Sequence, residues 1–221
     1  LPMSREIAAF FDLDRTLIDV NSGLLWALHE RREGNITWLQ MARAVVWSGL
    51  YHLSLINLER ALDEAVAHYR GADRSELDQR TRDWFFSEIE SRLRPGAADA
   101  LTEHREAGHH LVLLTNASVF EAKVASQTWE LDDYLANDFP TDESGRLLGT
   151  FSRPLCYGSG KVAHAERWAS ERDVDLTRSF FYSDSYSDLP MLERVGEPRV
   201  VSPDPRLRRA AKRNGWAVLD W

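Results

Sequence analysis

Asp12 and Asp14 stand two positions apart in Phe-Phe-Asp-Leu-Asp-Arg-Thr-Leu, directly after the apolar run that begins at Glu6. A buried parallel strand ending at Phe11, followed by a sharp turn, would bring both carboxylates to one site. One carboxylate can attack phosphorus while its neighbour, as a carboxylic acid, protonates the departing alkoxide and then activates water. Hydrolysis is thereby split into two easier displacements. Thr16 is placed to fix the loop by hydrogen bonding. Two carboxylates and a phosphate repel one another, so such a site calls for a hard cation with oxygen ligands, and Mg2+ suits it.

Later segments supply the complementary groups. Asp184 closes the apolar run Ser179-Phe-Phe-Tyr-Ser183 and is the natural third acidic ligand. Thr115 and Asn116 follow His110-Leu-Val-Leu-Leu114, and the Thr115 hydroxyl with the adjacent amides can hold phosphate oxygens. Lys161, at an expected helix start, can neutralise charge that shifts in the transition state. Asp188 can orient Lys161 or a metal-bound water.

The elements that must hold these residues follow from periodicity. Long helical patterns fill Ser22 to Arg94, among them Trp38 through Leu50, Leu58 through Tyr69 and Leu77 through Leu93, with no strand between. After Pro95-Gly96 a helix leads to Gly108, and strands and helices then alternate. Tyr134–Asp138 reads as a short strand, Asp142-Glu-Ser-Gly145 as a hairpin turn before Arg146 to Phe151, and a helix starts near Lys161. Leu189 to Val195, a strand over Pro198 to Val201, a helix near Pro205 to Asn214 and a last strand from Trp216 to Leu219 complete the chain. The expected fold is α/β: a doubly wound, Rossmann-like parallel sheet core (residues 1–20 and 95–221) with an inserted all-helical cap domain (residues 21–94). In such sheets ligands bind beyond the carboxyl ends of the strands, where Asp12, Thr115 and Asp184 fall.

Composition narrows the class. The chain has 221 residues, 43% hydrophobic and 28% charged, as ordinary globular proteins do. Acidic residues outnumber basic ones 35 to 27, for a formal charge of −8, which disfavours general affinity for nucleic acid. With Cys156 as the single cysteine and no leader-like start, cytoplasm is the expected compartment, and Cys156 reads as a packing residue. The uncharged run Ala44 to Leu58 is shorter than the roughly 20 residues that span a bilayer, so no transmembrane segment is expected. The seven histidines form no compact ligand pattern, and zinc is not expected. Of the eight tryptophans, Trp26, Trp38, Trp47 and Trp84 fall in the expected cap. Core packing is the favoured reason, and cap contact with a lipid or membrane surface the minor one.

Taken together, the motifs resemble the haloacid dehalogenase superfamily, in its phosphoserine-phosphatase-like branch, nearly end to end. Asp12-Leu-Asp14-Arg-Thr16 looks like the first motif, Leu-Leu-Thr115-Asn the second, Gly160-Lys161 the third, and Tyr-Ser-Asp184-Ser-Tyr-Ser-Asp188-Leu-Pro the fourth. Each residue alone would more often be a turn, a cap or a solvated charge, whereas four motifs in order at strand ends are specific. The resemblance implies that Asp12 is the nucleophile and Asp14 the general acid and base. It also implies that Asp12, the Asp14 main-chain carbonyl and Asp184 bind Mg2+, and that the substrate is a small phosphorylated metabolite. Asn21 stands where phosphoserine phosphatases of this kind typically place a glutamate for the substrate's amino group, which argues against phosphoserine. Ser185 and Ser187 replace the usual glycine and asparagine of the fourth motif, and the resemblance puts Ser187 on the phosphate side. Alternatives are a phosphomutase with the same site, or a phosphoaspartate signalling or binding module, which the paired acids and the helical insert disfavour. A dehalogenase fits less well because Asp14 supplies the proton transfer that phosphate esters need. Nothing in the sequence indicates an oligomeric state.

Overall fold

A computed structural model describes residues 6–42 and 66–221. Six strands, β1 (Ala8–Phe11), β2 (His110–Ser118), β3 (Asp133–Asn137), β4 (Phe180–Ser183), β5 (Glu197–Val201) and β6 (Ala217–Leu219), form one sheet in the order β3-β2-β1-β4-β5-β6. All five pairings are parallel. Every residue of β1 is buried, which explains why that strand reads as an unbroken apolar run rather than an alternating one.

The strand side chains divide between two cores by their period of two. Ala9, Phe11, Leu111 and Leu113 face one cluster; Ala8, Phe10, Val112 and Leu114 face the other. The first cluster is covered by α3 (Pro95–Glu106) and α4 (Val119–Thr128), through Ala97, Leu101, Ala122 and Val124. The second is covered by α5 (Ser159–Glu171), α6 (Leu189–Arg194) and α7 (Pro205–Asn214), through Trp168, Leu192 and Leu207. Helices on both faces of a parallel sheet make this a doubly wound α/β fold, as expected from the alternating pattern. Strand order reverses between β1 and β4, the crevice where such sheets bind ligands.

Between β1 and α3 the described residues are helical: α1 (Ser22–Arg32), α2 (Arg74–Glu88) and a 3-10 turn at Glu90–Arg92. Trp47, the Ala44 to Leu58 run and most of the two helical patterns around it lie outside the described residues. Among the described residues no helix is long and apolar enough to cross a membrane. Trp84 and Phe85 of α2 pack in the same cluster as Phe11 and Leu113, so part of the insert is built into the sheet's own core.

One of two elements differs from expectation. β2 continues past Thr115-Asn116 to Ser118, with its register against β3 shifting between Leu114 and Ser118. Asp142–Gly145 turns as expected, with Gly145 at φ +81°, and closes a short hairpin in which Thr141 bridges Leu147 antiparallel, the Asp142 N–H donates to the Arg146 carbonyl (2.9 Å) and the Leu148 N–H to the Pro140 carbonyl (2.9 Å). On its other side Leu147 exchanges backbone hydrogen bonds with Gly71 and Ala72, which ties the segment before α2 to this hairpin.

Trp84 is 1% exposed. Trp84→Ala should destabilise by about 3–5 kcal/mol, read by denaturant unfolding, and should lower one cooperative transition rather than a separate phase.

Candidate active site

Asp12 follows the last residue of β1. Register sets its companions: Phe11 pairs with Leu113 on one side and Tyr182 on the other, so Thr115 and Asp184 emerge at the same edge of the sheet. The chain then turns through Leu13–Leu17, with the Leu17 N–H donating to the Asp12 carbonyl (3.3 Å) and the Ile18 N–H to the Leu13 carbonyl (3.1 Å). Arg15 takes a left-handed conformation (φ 57°) at the apex and is exposed. Asp14 is held from the far side, its Oδ1 accepting the Ser22 N–H at 2.9 Å. Thr16 departs from expectation: its buried hydroxyl has no hydrogen-bond partner, and backbone bonds hold the loop.

Lys161 is 2% exposed and its Nζ donates to Asp12 Oδ1 at 2.8 Å and to Asp188 Oδ2 at 2.7 Å. Asp188 Oδ2 also accepts the Ser183 hydroxyl at 2.8 Å. The two carboxylates, acting against burial, hold the Lys161 ammonium firmly protonated. Its placement depends on the glycine before it. A Cβ at Gly160 would lie 1.8 Å from the Leu155 carbonyl oxygen, so only glycine lets the start of α5 approach that loop.

The acids opposite Lys161 have raised proton affinity. Burial, opposed by Lys161, pushes Asp12 up to about 7. Burial, reinforced by Asp12 and Asp188, pushes Asp184 up to about 8, and burial raises Asp14. Among the described residues no three acidic, imidazole or thiol side chains share metal-ligand spacing. The expected set needs only two carboxylates and the Asp14 carbonyl. Buried carboxylates that repel one another, with no Lys or Arg paired to Asp184 among the described residues, fit a hard divalent cation by the chemistry of their oxygens.

Towards the end of β2, Thr115 is buried and its Oγ1 accepts the Ala117 N–H at 3.1 Å, which leaves the hydroxyl hydrogen to donate. Asn116 is drawn the other way: its carbonyl and Oδ1 accept from Asn137 Nδ2 at 2.7 and 3.0 Å. Ser187 is half-buried with its hydroxyl 2.9 Å from Ser185 Oγ. Asn137 escaped the sequence reading. Its Oδ1 accepts the Cys156 N–H at 2.8 Å, so this one buried amide ties the ends of β2 and β3 to the loop before α5. Cys156 is buried, and desolvation pushes its thiol up to about 12, as a packing residue's would be.

The family model for haloacid dehalogenase-like hydrolases matches residues 9–193, spanning β1 to α6. The chain belongs to the haloacid dehalogenase-like hydrolases. Along its length it is similar to a histidinol-phosphatase of Neisseria meningitidis, 26% identical over 217 residues, covering 96% of this chain and 98% of that one. A solved Bordetella pertussis protein of unknown function superposes with a TM-score of 0.88 at 27% identity, covering 98% of this chain and 99% of that one. A substrate-bound phosphoserine phosphatase superposes with a TM-score of 0.71 at 16% identity, covering 98% and 94%, and shows the shared fold. The hydrolase family and its phosphatase-named relatives agree on a phosphoric monoester hydrolase.

Two outcomes test this geometry. With no divalent cation present, the folded protein keeps protons on Asp12 and Asp184 that the unfolded chain releases near pH 4. Their stabilising contribution is present at low pH and lost as pH rises through about 7 to 8, so calorimetry in chelator should show stability falling over pH 5 to 8. Gly160→Ala, which forces a side chain against a backbone carbonyl, should cost about 1–3 kcal/mol or more and should lower the melting temperature.

Proposed function

We propose that this protein hydrolyses a small phosphomonoester, with Asp12 as nucleophile, through an aspartyl-phosphate. The observation that carries the reading is the buried Lys161 ammonium bonded to Asp12 and Asp188 at a strand end, with Asp14 two residues beyond. Lys161 keeps Asp12 aimed and favours its ionised form against the burial that raises its proton affinity. Asp12 Oδ attacks phosphorus; the ester bond breaks, and Asp14, protonated by virtue of its buried setting, gives its proton to the departing oxygen. Asp14 then takes a proton from the water that attacks the aspartyl-phosphate, releasing inorganic phosphate and restoring Asp12. The Thr115 hydroxyl, the Asn116 backbone amide and Ser187 serve the phosphate oxygens, and Asp188 holds Lys161 in place.

Asp12, the Asp14 carbonyl and Asp184 would hold Mg2+, which offsets the repulsion between nucleophile and phosphate. The segment 21–94 acts as a cap over the core of residues 1–20 and 95–221, shielding the first displacement from bulk water. The histidinol-phosphatase name of the N. meningitidis relative supports a small organic phosphate as substrate.

Asp12→Asn should reduce Mg2+-dependent phosphate release from an aryl phosphate by more than about 10³-fold while leaving the protein folded. Turnover within tenfold of wild type would rule the mechanism out.

A further inference from the structure

Asn137, the last residue of β3, is 5% exposed and stands at a break in the sheet. Leu114 pairs with Leu135 and Ser118 with Asn137, so Thr115, Asn116 and Ala117 of β2 together face the single residue Ala136. Extra residues of this kind leave the ladder and are re-aimed by it. Asn137 Nδ2 enters the gap and donates to the Asn116 carbonyl at 2.7 Å and to Asn116 Oδ1 at 3.0 Å. It does for the bulge what a ladder amide does in regular pairing.

The other end of the same side chain holds the loop before α5. Asn137 Oδ1 accepts the Cys156 N–H at 2.8 Å. That N–H belongs to the peptide group whose carbonyl is that of Leu155, and the Leu155 oxygen is the atom that a Cβ at Gly160 would meet at 1.8 Å. A peptide group is planar and stiff, so holding its N–H also fixes the carbonyl against which Gly160 packs. Lys161 follows Gly160, and its Nζ donates to Asp12 at 2.8 Å. From Asn137 to the nucleophile the path therefore runs through one rigid peptide and one close contact.

Other bonds attach this loop to the β3 side but leave the bulge out: the Cys156 thiol donates to the Leu135 carbonyl at 3.3 Å, and the Ser152 N–H to the Asp138 carbonyl at 2.9 Å. An apolar side chain at position 137 could fill the same space. It could not bond the bulge and the loop at once, and a buried amide whose donor and acceptor are both engaged specifies their relative placement.

We propose that Asn137 is a positioning residue that sets the separation between the Thr115–Asn116 arm and the Lys161 arm, the two that close on the phosphoryl group. This rests on the phosphatase reading given above and goes beyond it by assigning part of the phosphate grip to a side chain that contacts no reacting atom.

The test measures kcat, KM and inhibition by orthovanadate, a mimic of the phosphoryl group in transfer, with Mg2+ and an aryl phosphate for wild type, Asn137→Ala and Asn137→Asp. The Asp variant keeps an acceptor for the Cys156 N–H but sets an oxygen against both Asn116 oxygens. Well below its melting temperature, each variant should lose about 10- to 100-fold in kcat, and its vanadate inhibition constant should rise by a like factor. A lowered melting temperature with kcat and vanadate inhibition within about threefold of wild type overturns the inference and leaves Asn137 a purely structural role. A loss in kcat with vanadate inhibition unchanged overturns it as well. If neither variant folds, hydrogen exchange of the wild type decides: vanadate with Mg2+ should slow exchange at the Asn116 and Cys156 amides together, and an unchanged rate at Cys156 overturns the inference. Wild type that hydrolyses no phosphate ester overturns the phosphatase reading too, whereas the other failures leave that reading intact.

Discussion

An ammonium ion that is 2% exposed can persist in a protein interior only if its charge is answered within hydrogen-bond distance, and Lys161 is answered twice, by Asp12 and Asp188. That three-membered arrangement spans 149 residues of sequence between Asp12 and Lys161 and 27 between Lys161 and Asp188. It joins the end of β1, the start of α5 and the turn after β4 into one unit. Removing any member leaves a buried charge unmet, at a cost of about 3–5 kcal/mol for a broken buried pair. The same bond that stabilises the fold aims Asp12 and favours its ionised form against burial.

The sheet makes this arrangement reachable. With β1 central and fully buried, its neighbours β2 and β4 run parallel to it, so all three strands end at one edge and deliver Thr115, Asp12 and Asp184 together. The two faces of β1 are packed by different helices, and α5, on one face, carries Lys161 to the same edge. Gly160 permits the last approach. Concentrating acids there raises their proton affinity, a condition that a divalent cation relieves.

Much of this was legible in the sequence because its causes are local. The apolar run before Asp12 and the run before Asp184 read as buried parallel strands, and both are. Gly-Lys at a helix start and Asp188 behind it were likewise in view. Residues whose partners are distant were not. Asn137 has its partners 19 and 21 residues away, and nothing at Leu-Ala-Asn announces them. Thr16 failed for a related reason: the left-handed Arg15 turns the loop so that backbone groups close it, and the threonine hydroxyl is left over. The hairpin turn at Asp142–Gly145 was in view, whereas the distant bonds of Leu147 to Gly71 and Ala72 were not.

The covalent step at Asp12 is the centre of the account, and borohydride trapping tests it most directly. Reduction of an acyl phosphate during turnover converts the aspartate that bore it to homoserine, which peptide mass spectrometry locates. The expected result is homoserine at position 12, dependent on both substrate and Mg2+. Phosphate release with no modified residue, or with the modification at another acid, would contradict it.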